Sequence, residues 1–281
     1  MRSPKWAGIV GYRHGFYEQV QFWGLGPTGK KASLPTDSEQ NLTRMHLVFS
    51  ESSRQSVWFL LQSKDLPAAE NMAWDEALLD ATLRVAQPVL RFYGWSQPAA
   101  TFGYSQKYQW AARMTSLRPL VRRTTGGGLV EHRADWTYSL VLPPTHHWYE
   151  LPAAQSYQRV HRWLSDAFSS LQIETETAAV RQGDGAGKCF AAAEQFDLLW
   201  KGTKIAGAAH RRSRHGLLVQ GSVQPPSDSV GRVQWQEALC RVASQQWKTS
   251  WLPLDVGPEL NESVRRLTLE KYSQPAYNER R

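Results

Sequence analysis

The sequence predicts a single α+β domain in which a mostly antiparallel or mixed β-sheet packs with helices. Two strand-like segments, 196–200 and 204–209, flank a turn at Lys201 and Gly202, and so short a connection joins antiparallel neighbours in a hairpin. Segments with helical spacing do not alternate regularly with the strands, which disfavours a doubly wound parallel sheet. With 281 residues, of which 41% are hydrophobic, the chain can bury a substantial core.

The N-terminal part of the chain differs from the rest. Residues 24–40 combine Gly, Pro, Lys, Ser and Asp with little periodicity, which is typical of a flexible arm or of an extension upstream of the true start. We therefore expect residues 1–55 to be a poorly ordered or mis-started extension. The folded domain is expected over 56–281, with a linker at 224–232 and a helical tail from Gln234.

The first elements of this domain follow one another closely. The apolar run at 57–61 is typical of a buried strand, and apolar residues at helical spacing predict a helix over 69–83 that ends before Pro88. Strict alternation over 90–95 indicates a second strand. Gln97 and the proline after it supply the next turn.

Further strands and one long helix follow. Aromatic and branched residues predict a strand at 137–142, and apolar residues at three- and four-residue steps after Pro152 predict a helix. Segments 196–200 and 204–209 form the two strands of the hairpin, and 217–223 supplies another strand.

Composition excludes several classes of protein. The formal charge is +8, but no run of five basic residues occurs, so a nucleic-acid partner is not expected. The 13 Trp, 10 Tyr and 9 Phe exclude general disorder. The early apolar stretch at 7–12 is too short for a membrane span or a signal-peptide core, so we expect a cytoplasmic protein without membrane contact. Only two cysteines occur, without a CxxC motif, which suggests neither a disulfide framework nor a metal site.

Three consecutive glycines, Gly126, Gly127 and Gly128, follow a pair of arginines. Glycines allow the backbone to approach a ligand closely, and the arginines could hold a carboxylate or a phosphate. A flexible hairpin loop explains the same composition equally well. The dinucleotide-binding pattern G-x-G-x-x-G is excluded because Glu131 stands where its last glycine is required.

The segment Gly187-Lys188-Cys189 resembles the end of a phosphate-binding loop, but the match fails. Gln182 occupies the position of the first required glycine, and Cys189 replaces the hydroxyl residue that would bind magnesium.

Cys189 is the candidate nucleophile. A lone cysteine is more often a small buried apolar residue, but this one lies in a glycine-rich segment just before the hairpin. A catalytic thiol needs a nearby cation to form the thiolate, and Lys204 lies fifteen positions further along the chain. Strand alternation predicts that Lys204 shares a face with Ala206 and Ala208, leaving a groove for a slender acyl chain. We interpret Cys240 as a core residue.

Several of these segments together resemble one family. The stretch 122–132 followed by 137–139 resembles the signature of the superfamily of lipoate-protein ligases, lipoyl and octanoyl transferases, and biotin ligases. Residues 202–209 resemble its lysine-bearing hairpin, and 95–98 with 102–106 resemble its earlier strand and turn. The segments occur in the expected order, which makes the combination more specific than any one motif.

The resemblance implies roles for individual residues. The arrangement of Cys189 before the hairpin is similar to the cysteine-dependent octanoyltransferases, which implies Cys189 as nucleophile and Lys204 as its activator. The remaining positions that match the family motifs imply contacts with the substrate. These substrate-binding candidates are Arg123, Gly126, Gly127, Gly128, His132, Gly207, Ala208 and Ala209.

The resemblance implies an octanoyl or lipoyl transferase. It would move an acyl group from an acyl-carrier protein to a lysine of a lipoyl-domain or glycine-cleavage H-type protein, with no cofactor and no metal. The short segment after Val223 favours the transferase over ligases that carry an accessory domain. Gly128 and His210 depart from the pattern of the transferases and leave the identity of the acyl chain open.

Two alternatives remain. An ATP-dependent lipoate ligase would bind an acyl-adenylate with Arg123, the glycine loop and Lys204, and Cys189 would take no part. ATP-pyrophosphate exchange stimulated by free lipoate distinguishes it. A non-catalytic binding module would bind carrier or lipoyl domains without forming a thioester or a product.

Overall fold

The computed structural model describes residues 56–180, 187, 189–226 and 229–280. The α+β prediction is confirmed, because an eight-stranded mixed sheet and a three-stranded sheet pack with helices. The extension predicted for 1–55 lies outside the described residues, and the domain boundary stays a prediction.

The main sheet has the strand order β11-β1-β2-β6-β10-β9-β8-β7, and the small sheet has the order β4-β3-β5. In the main sheet β1 pairs in parallel with β2 and β11, whereas the other pairs are antiparallel. The strands are β1 (Ser56–Leu66), β2 (Val89–Trp95), β3 (Ala99–Phe102), β4 (Leu120–Arg122), β5 (Val130–His132), β6 (Trp136–Leu142), β7 (Glu176–Thr177), β8 (Leu198–Trp200), β9 (Thr203–Ser213), β10 (Gly216–Val223) and β11 (Thr249–Pro253).

Helices cover both faces of the main sheet. They are α1 (Ala68–Val85), α2 (Tyr108–Met114), α3 (Ala153–Ser169), α4 (Arg232–Trp247), α5 (Pro258–Leu267) and α6 (Pro275–Asn278), with a π-helical turn at Thr268–Tyr272. The largest core lies between the sheet and the helices α3 and α4. A second core joins α1 and α5 to the opposite face. No helix in the described ranges has both the length and the apolar character needed to cross a bilayer.

The predicted hairpin at Lys201 and Gly202 is confirmed. β8 and β9 pair across these two residues, whose φ angles of 49° and 76° fit the tight two-residue turn. The first strand of the hairpin begins at Leu198 rather than at the predicted residue 196. Phe196 has a φ of 71°, which is incompatible with an extended strand.

A β-bulge at Ile205 changes the direction of the side chains in β9. The register between β8 and β9 shifts by one residue at this point, so the predicted alternation of Lys204 with Ala206 and Ala208 is wrong. The Lys204 ammonium instead lies 3.1 Å from where a Cβ atom on Gly207 would be. Ala206 is fully buried in the core on the opposite face.

The helical tail is confirmed only in part. Helix α4 begins at Arg232, inside the predicted linker, and the chain then returns to the main sheet as β11. This short strand pairs in parallel with β1, a long-range contact that leaves little local signal in the sequence.

A buried arginine fastens the C-terminal segment to the small sheet. The guanidinium of Arg122, which is 1% exposed, donates hydrogen bonds to the carbonyl oxygens of Tyr104, Gln106, Asn278 and Arg280 at 2.6–3.0 Å. Arg122 therefore joins β4 to the loop after β3 and to α6.

We expect Arg122→Ala to lower the free energy of unfolding by at least about 3 kcal/mol, because several buried carbonyl groups would lose their donor. Chemical denaturation measures the effect. The matched control is Arg113→Ala on the exposed side of α2, where a change within about 0.5 kcal/mol is expected. Equal losses in both variants would show that the buried hydrogen bonds contribute nothing.

Candidate active site

A narrow cavity of about 40 Å³ lies between the main sheet and the small sheet. It crosses β9, β10, β6 and β2, a distance of three strand spacings or about 14 Å. The predicted site residues that line it are Arg123, Gly127, Gly128, His132, Cys189, Gly207, Ala208 and Ala209. Gly126 and Lys204 do not line the cavity.

The glycine loop lies directly against the segment that carries Cys189. Leu129 N–H donates to the Gly187 carbonyl at 2.8 Å, and Cys189 N–H donates to the Leu129 carbonyl at 2.9 Å. A Cβ atom on Gly128 would lie 2.4 Å from the Gly187 oxygen, so only glycine permits this approach. Gly126, by contrast, has open space around its Cβ position.

Arg123 fixes the shape of the glycine loop from inside the protein. Its guanidinium donates to the carbonyl oxygens of Gly126 and Gly128 at 2.9 and 2.8 Å, and to Thr101 Oγ1 at 2.8 Å. Burial lowers the pKa of Arg123 to about 10, although the nearby Cys189 sulfur favours the charged form. The guanidinium stays protonated near neutral pH and adds positive charge to the cavity wall close to the thiol.

Lys204 and Cys189 are in contact. Lys204 Nζ lies 3.5 Å from Cys189 Sγ and donates to the Cys189 carbonyl oxygen at 2.5 Å. It also forms a 2.6 Å ion pair with Asp197, whose side chain is fully buried. Cys189 lines the inner cavity, whereas Lys204 borders an open groove on the outside together with Phe190 and Trp200. The pair therefore lies at the boundary between the cavity and solvent.

The far end of the cavity is a polar wall organised by Asp135. His132 stacks on Trp95 with ring centroids 3.7 Å apart. Asp135 Oδ2 accepts hydrogen bonds from His132, Thr137 and Ser222 at 2.7–3.0 Å. Burial would raise the pKa of the Asp135 carboxyl, but His132 and the three hydrogen bonds outweigh it and hold that pKa below its usual range.

The sequence matches the lipoyl protein ligase A/B catalytic domain family over residues 67–246, more than half of the chain. The chain belongs to this family. The match spans α1 to α4 and includes the glycine loop, Cys189 and Lys204, so the resemblance inferred from the sequence motifs is confirmed at the level of the family.

Curated relatives within the lipoyl protein ligase A/B group are octanoyltransferases. The chain is 31% identical to octanoyltransferase LipM of Macrococcus caseolyticus over 182 residues, which are 60% of this chain and 66% of that protein. It is 35% identical to octanoyltransferase LipM of Oceanobacillus iheyensis over 172 residues, which are 59% of this chain and 63% of that protein. The match thus spans slightly less than two thirds of these relatives.

Solved structures share the fold. A putative lipoate protein ligase from T. acidophilum with bound lipoic acid superposes with a TM-score of 0.64 at 18% identity, covering 80% of this chain and 99% of that one. A lipoate-protein ligase A bound with ATP gives a TM-score of 0.65 at 18% identity, covering the same shares of the two chains. At this identity the comparison establishes the architecture alone.

The sequence motifs did not indicate several of the residues that line the cavity as site residues. They include Trp95, Thr137, Gln220 and Ser222. The last three are polar residues at alternate positions of otherwise apolar strands, and this pattern could have indicated a polar cavity wall. Asp197 was missed because it lies in an irregular segment before β8, where spacing carries no information.

The two cysteines are expected to differ sharply in reactivity. Burial raises the pKa of the Cys240 thiol to about 12, so this thiol stays protonated near neutral pH and is unreactive. Cys189 is half-buried beside an ammonium. We expect iodoacetamide at neutral pH to label Cys189 alone, as measured by peptide mass mapping, with Cys189→Ser unlabelled as the control. Equal labelling of both cysteines would contradict the difference in environment.

Proposed function

We propose that this protein is a cysteine-dependent octanoyltransferase of protein lipoylation. Cys189 would take an octanoyl group from a thioester on an acyl-carrier protein and pass it to a lysine of a lipoyl-domain protein. The contact between Lys204 Nζ and Cys189 Sγ beside a narrow cavity is the observation that carries the proposal.

In the first step, the Cys189 thiolate attacks the carbonyl carbon of the donor thioester. A new carbon–sulfur bond forms to Cys189, the bond to the donor sulfur breaks, and the donor leaves as a thiolate that takes a proton from solvent. The N–H groups of Leu129 and Cys189 already donate to backbone carbonyls. The Lys204 ammonium is a hydrogen-bond donor beside the reacting sulfur. Its positive charge favours the thiolate.

In the second step, the amine of the acceptor lysine attacks the acyl-enzyme. The amide bond forms, the bond from the acyl carbon to Cys189 Sγ breaks, and the proton that the amine loses passes to the departing sulfur. Lys204 borders the outer groove, so the acceptor approaches from that side while the acyl chain stays in the inner cavity. Dividing the transfer at a thioester replaces one difficult step with two easier ones.

The walls of the cavity suit a slender acyl chain. Near Cys189 they are formed by the small residues Gly207, Ala208 and Ala209, and Met72 and Val130 add apolar surface. Small residues leave room for a hydrocarbon chain, whose burial is favourable at about 0.8 kcal/mol for each CH₂ group.

The relatives support octanoyl as the acyl group and a lipoyl domain as the acceptor. The LipM proteins are named octanoyltransferases, and one solved neighbour is described as a bi-partite lipoate protein ligase with its E2 lipoyl domain. We extend both properties to this chain as part of the proposal. A glycine-cleavage H-type protein is the other acceptor of the same chemistry. The reaction needs neither ATP nor a metal, because the thioester donor is already activated.

The test is transfer from octanoyl-carrier protein to a purified lipoyl domain without ATP, followed by the mass of the lipoyl domain. The expected product carries one octanoyl group on its acceptor lysine. Product formed only from free octanoate or lipoate with ATP, together with release of pyrophosphate, would overturn the proposal in favour of a lipoate ligase.

A further inference from the structure

We infer that Asp197 is a positioning residue that holds Lys204 as an ammonium against Cys189, and that Tyr157 fixes Asp197 in turn. The inference rests on the proposed function for the meaning of the Lys204–Cys189 pair, but its geometry is independent of any substrate. Asp197 touches neither the sulfur nor the cavity and acts only through Lys204.

The surroundings of Lys204 Nζ match the three N–H groups of an ammonium. One acceptor is Asp197 Oδ2 at 2.6 Å, the second is the Cys189 carbonyl oxygen at 2.5 Å, and the third is Cys189 Sγ at 3.5 Å. A neutral amine has only two N–H groups and would direct its lone pair at one of these acceptors. The three acceptors therefore use the full donor capacity of an ammonium.

The ion pair between Lys204 and Asp197 is buried, and its geometry is fixed by further hydrogen bonds. The side chain of Asp197 is fully buried and that of Lys204 is 5% exposed, so both charges lie largely away from solvent. Asp197 Oδ2 also accepts from Glu194 N–H at 2.6 Å, and Asp197 Oδ1 accepts from the Tyr157 hydroxyl. Both carboxylate oxygens are thus occupied by fixed donors, and this arrangement determines where the ammonium lies.

Tyr157 of α3 is built to donate to Asp197. Its hydroxyl accepts a hydrogen bond from Ala208 N–H at 3.2 Å, and its ring stacks on His161 with centroids 4.1 Å apart. Burial, reinforced by the charge of Asp197, raises the pKa of Tyr157 well above its ordinary value, so the phenol keeps its proton. Helix α3 is therefore connected to β9 and, through Asp197, to Lys204.

This arrangement assigns Lys204 one role in both steps of the proposed reaction. Because all three of its N–H groups are engaged, Lys204 donates hydrogen bonds and does not accept the proton of the incoming amine. That proton ends on the departing Cys189 sulfur, which leaves the thiol ready for the next cycle. Asp197 keeps the ammonium in place throughout.

A double-mutant cycle tests the inference. The variants are Asp197→Asn, Lys204→Gln and the double variant, and the readout is the rate of alkylation of Cys189 by iodoacetamide at neutral pH, which needs no acyl donor. We expect each single change to slow alkylation by about tenfold, and the double variant to match Lys204→Gln within about twofold. An equal loss from Asp197→Asn in both backgrounds would overturn the inference, because Asp197 would then act independently of Lys204.

Thermal stability provides a second measurement, because the inference predicts the direction in which each variant changes the melting temperature. Lys204→Gln leaves a buried carboxylate without its cation and is expected to lower the melting temperature. Adding Asp197→Asn removes that uncompensated charge and is expected to raise the melting temperature again. A further decrease in the melting temperature of the double variant would show that Asp197 contributes to stability by something other than its ion pair with Lys204.

Tyr157→Phe tests the connection from α3 to Lys204 without removing a charge. It replaces Asp197→Asn as the test if that variant fails to fold. We expect alkylation and the kcat of octanoyl transfer to fall by about threefold to tenfold with KM unchanged, and no further loss in the Lys204→Gln background. Tyr149→Phe is the matched control, because its hydroxyl donates to the Ser213 carbonyl away from the site. Equal effects of the two changes would overturn the role of Tyr157. A normal alkylation cycle without any octanoyl transfer would instead count against the proposed function alone.

Discussion

Replacement of Cys189 by serine is expected to lower the rate of octanoyl transfer by about 10³-fold or more. A serine hydroxyl is a weak nucleophile unless a base takes its proton, and the group beside this position is an ammonium that donates to three acceptors. Single-turnover transfer from octanoyl-carrier protein to a lipoyl domain measures the loss.

Cys240→Ser is the matched control for this experiment. Cys240 lies on α4, packed against the main core, and does not line the cavity. Its replacement is expected to leave transfer within about twofold of the wild-type rate. Transfer by Cys189→Ser at the wild-type rate would exclude a cysteine acyl-enzyme.

Gly128→Ala is expected to lower kcat by at least about 100-fold, since small displacements of a reacting group cost this much. The new methyl carbon would lie 2.4 Å from the Gly187 carbonyl oxygen and 3.0 Å from Cys189 N, so the segment that carries the nucleophile must move. The same change disturbs the backbone hydrogen bonds through which Leu129 holds this segment.

The neighbouring Gly126→Ala provides the control within the same loop. Apart from its two chain neighbours, no atom of the described residues lies within 4 Å of the Cβ position of Gly126, so transfer is expected to stay within about twofold of wild type. If both substitutions reduced kcat by the same factor, the flexibility of the loop rather than the close approach of Gly128 would explain the effect. Circular dichroism confirms that each variant is folded.

Local signals in the sequence predicted the parts of the site that depend on neighbouring residues. The two-residue turn at Lys201 and Gly202 predicted the hairpin, and the hairpin placed Lys204 within reach of the segment before it. Cys189 was singled out by its glycine-rich surroundings. The structure brings both residues together, although their roles in the reaction stay proposals.

The features that were missed depend on contacts between distant segments. The bulge at Ile205 reverses the face on which Lys204 lies, and a single inserted residue leaves no mark in a pattern of period two. The small sheet consists of strands of three or four residues, too short to show alternation. Asp197 contacts Lys204, and Tyr157 contacts Asp197 from a separate element, so only the folded structure shows that they act on one site.

The most direct test of the account is the intact mass of the wild-type protein after incubation with octanoyl-carrier protein alone, followed by addition of the lipoyl domain. The account predicts one octanoyl group on Cys189, located by peptide mapping, which disappears as the lipoyl domain gains the same mass. The contrary result is transfer to the lipoyl domain without any adduct on Cys189, or an adduct that the lipoyl domain cannot remove.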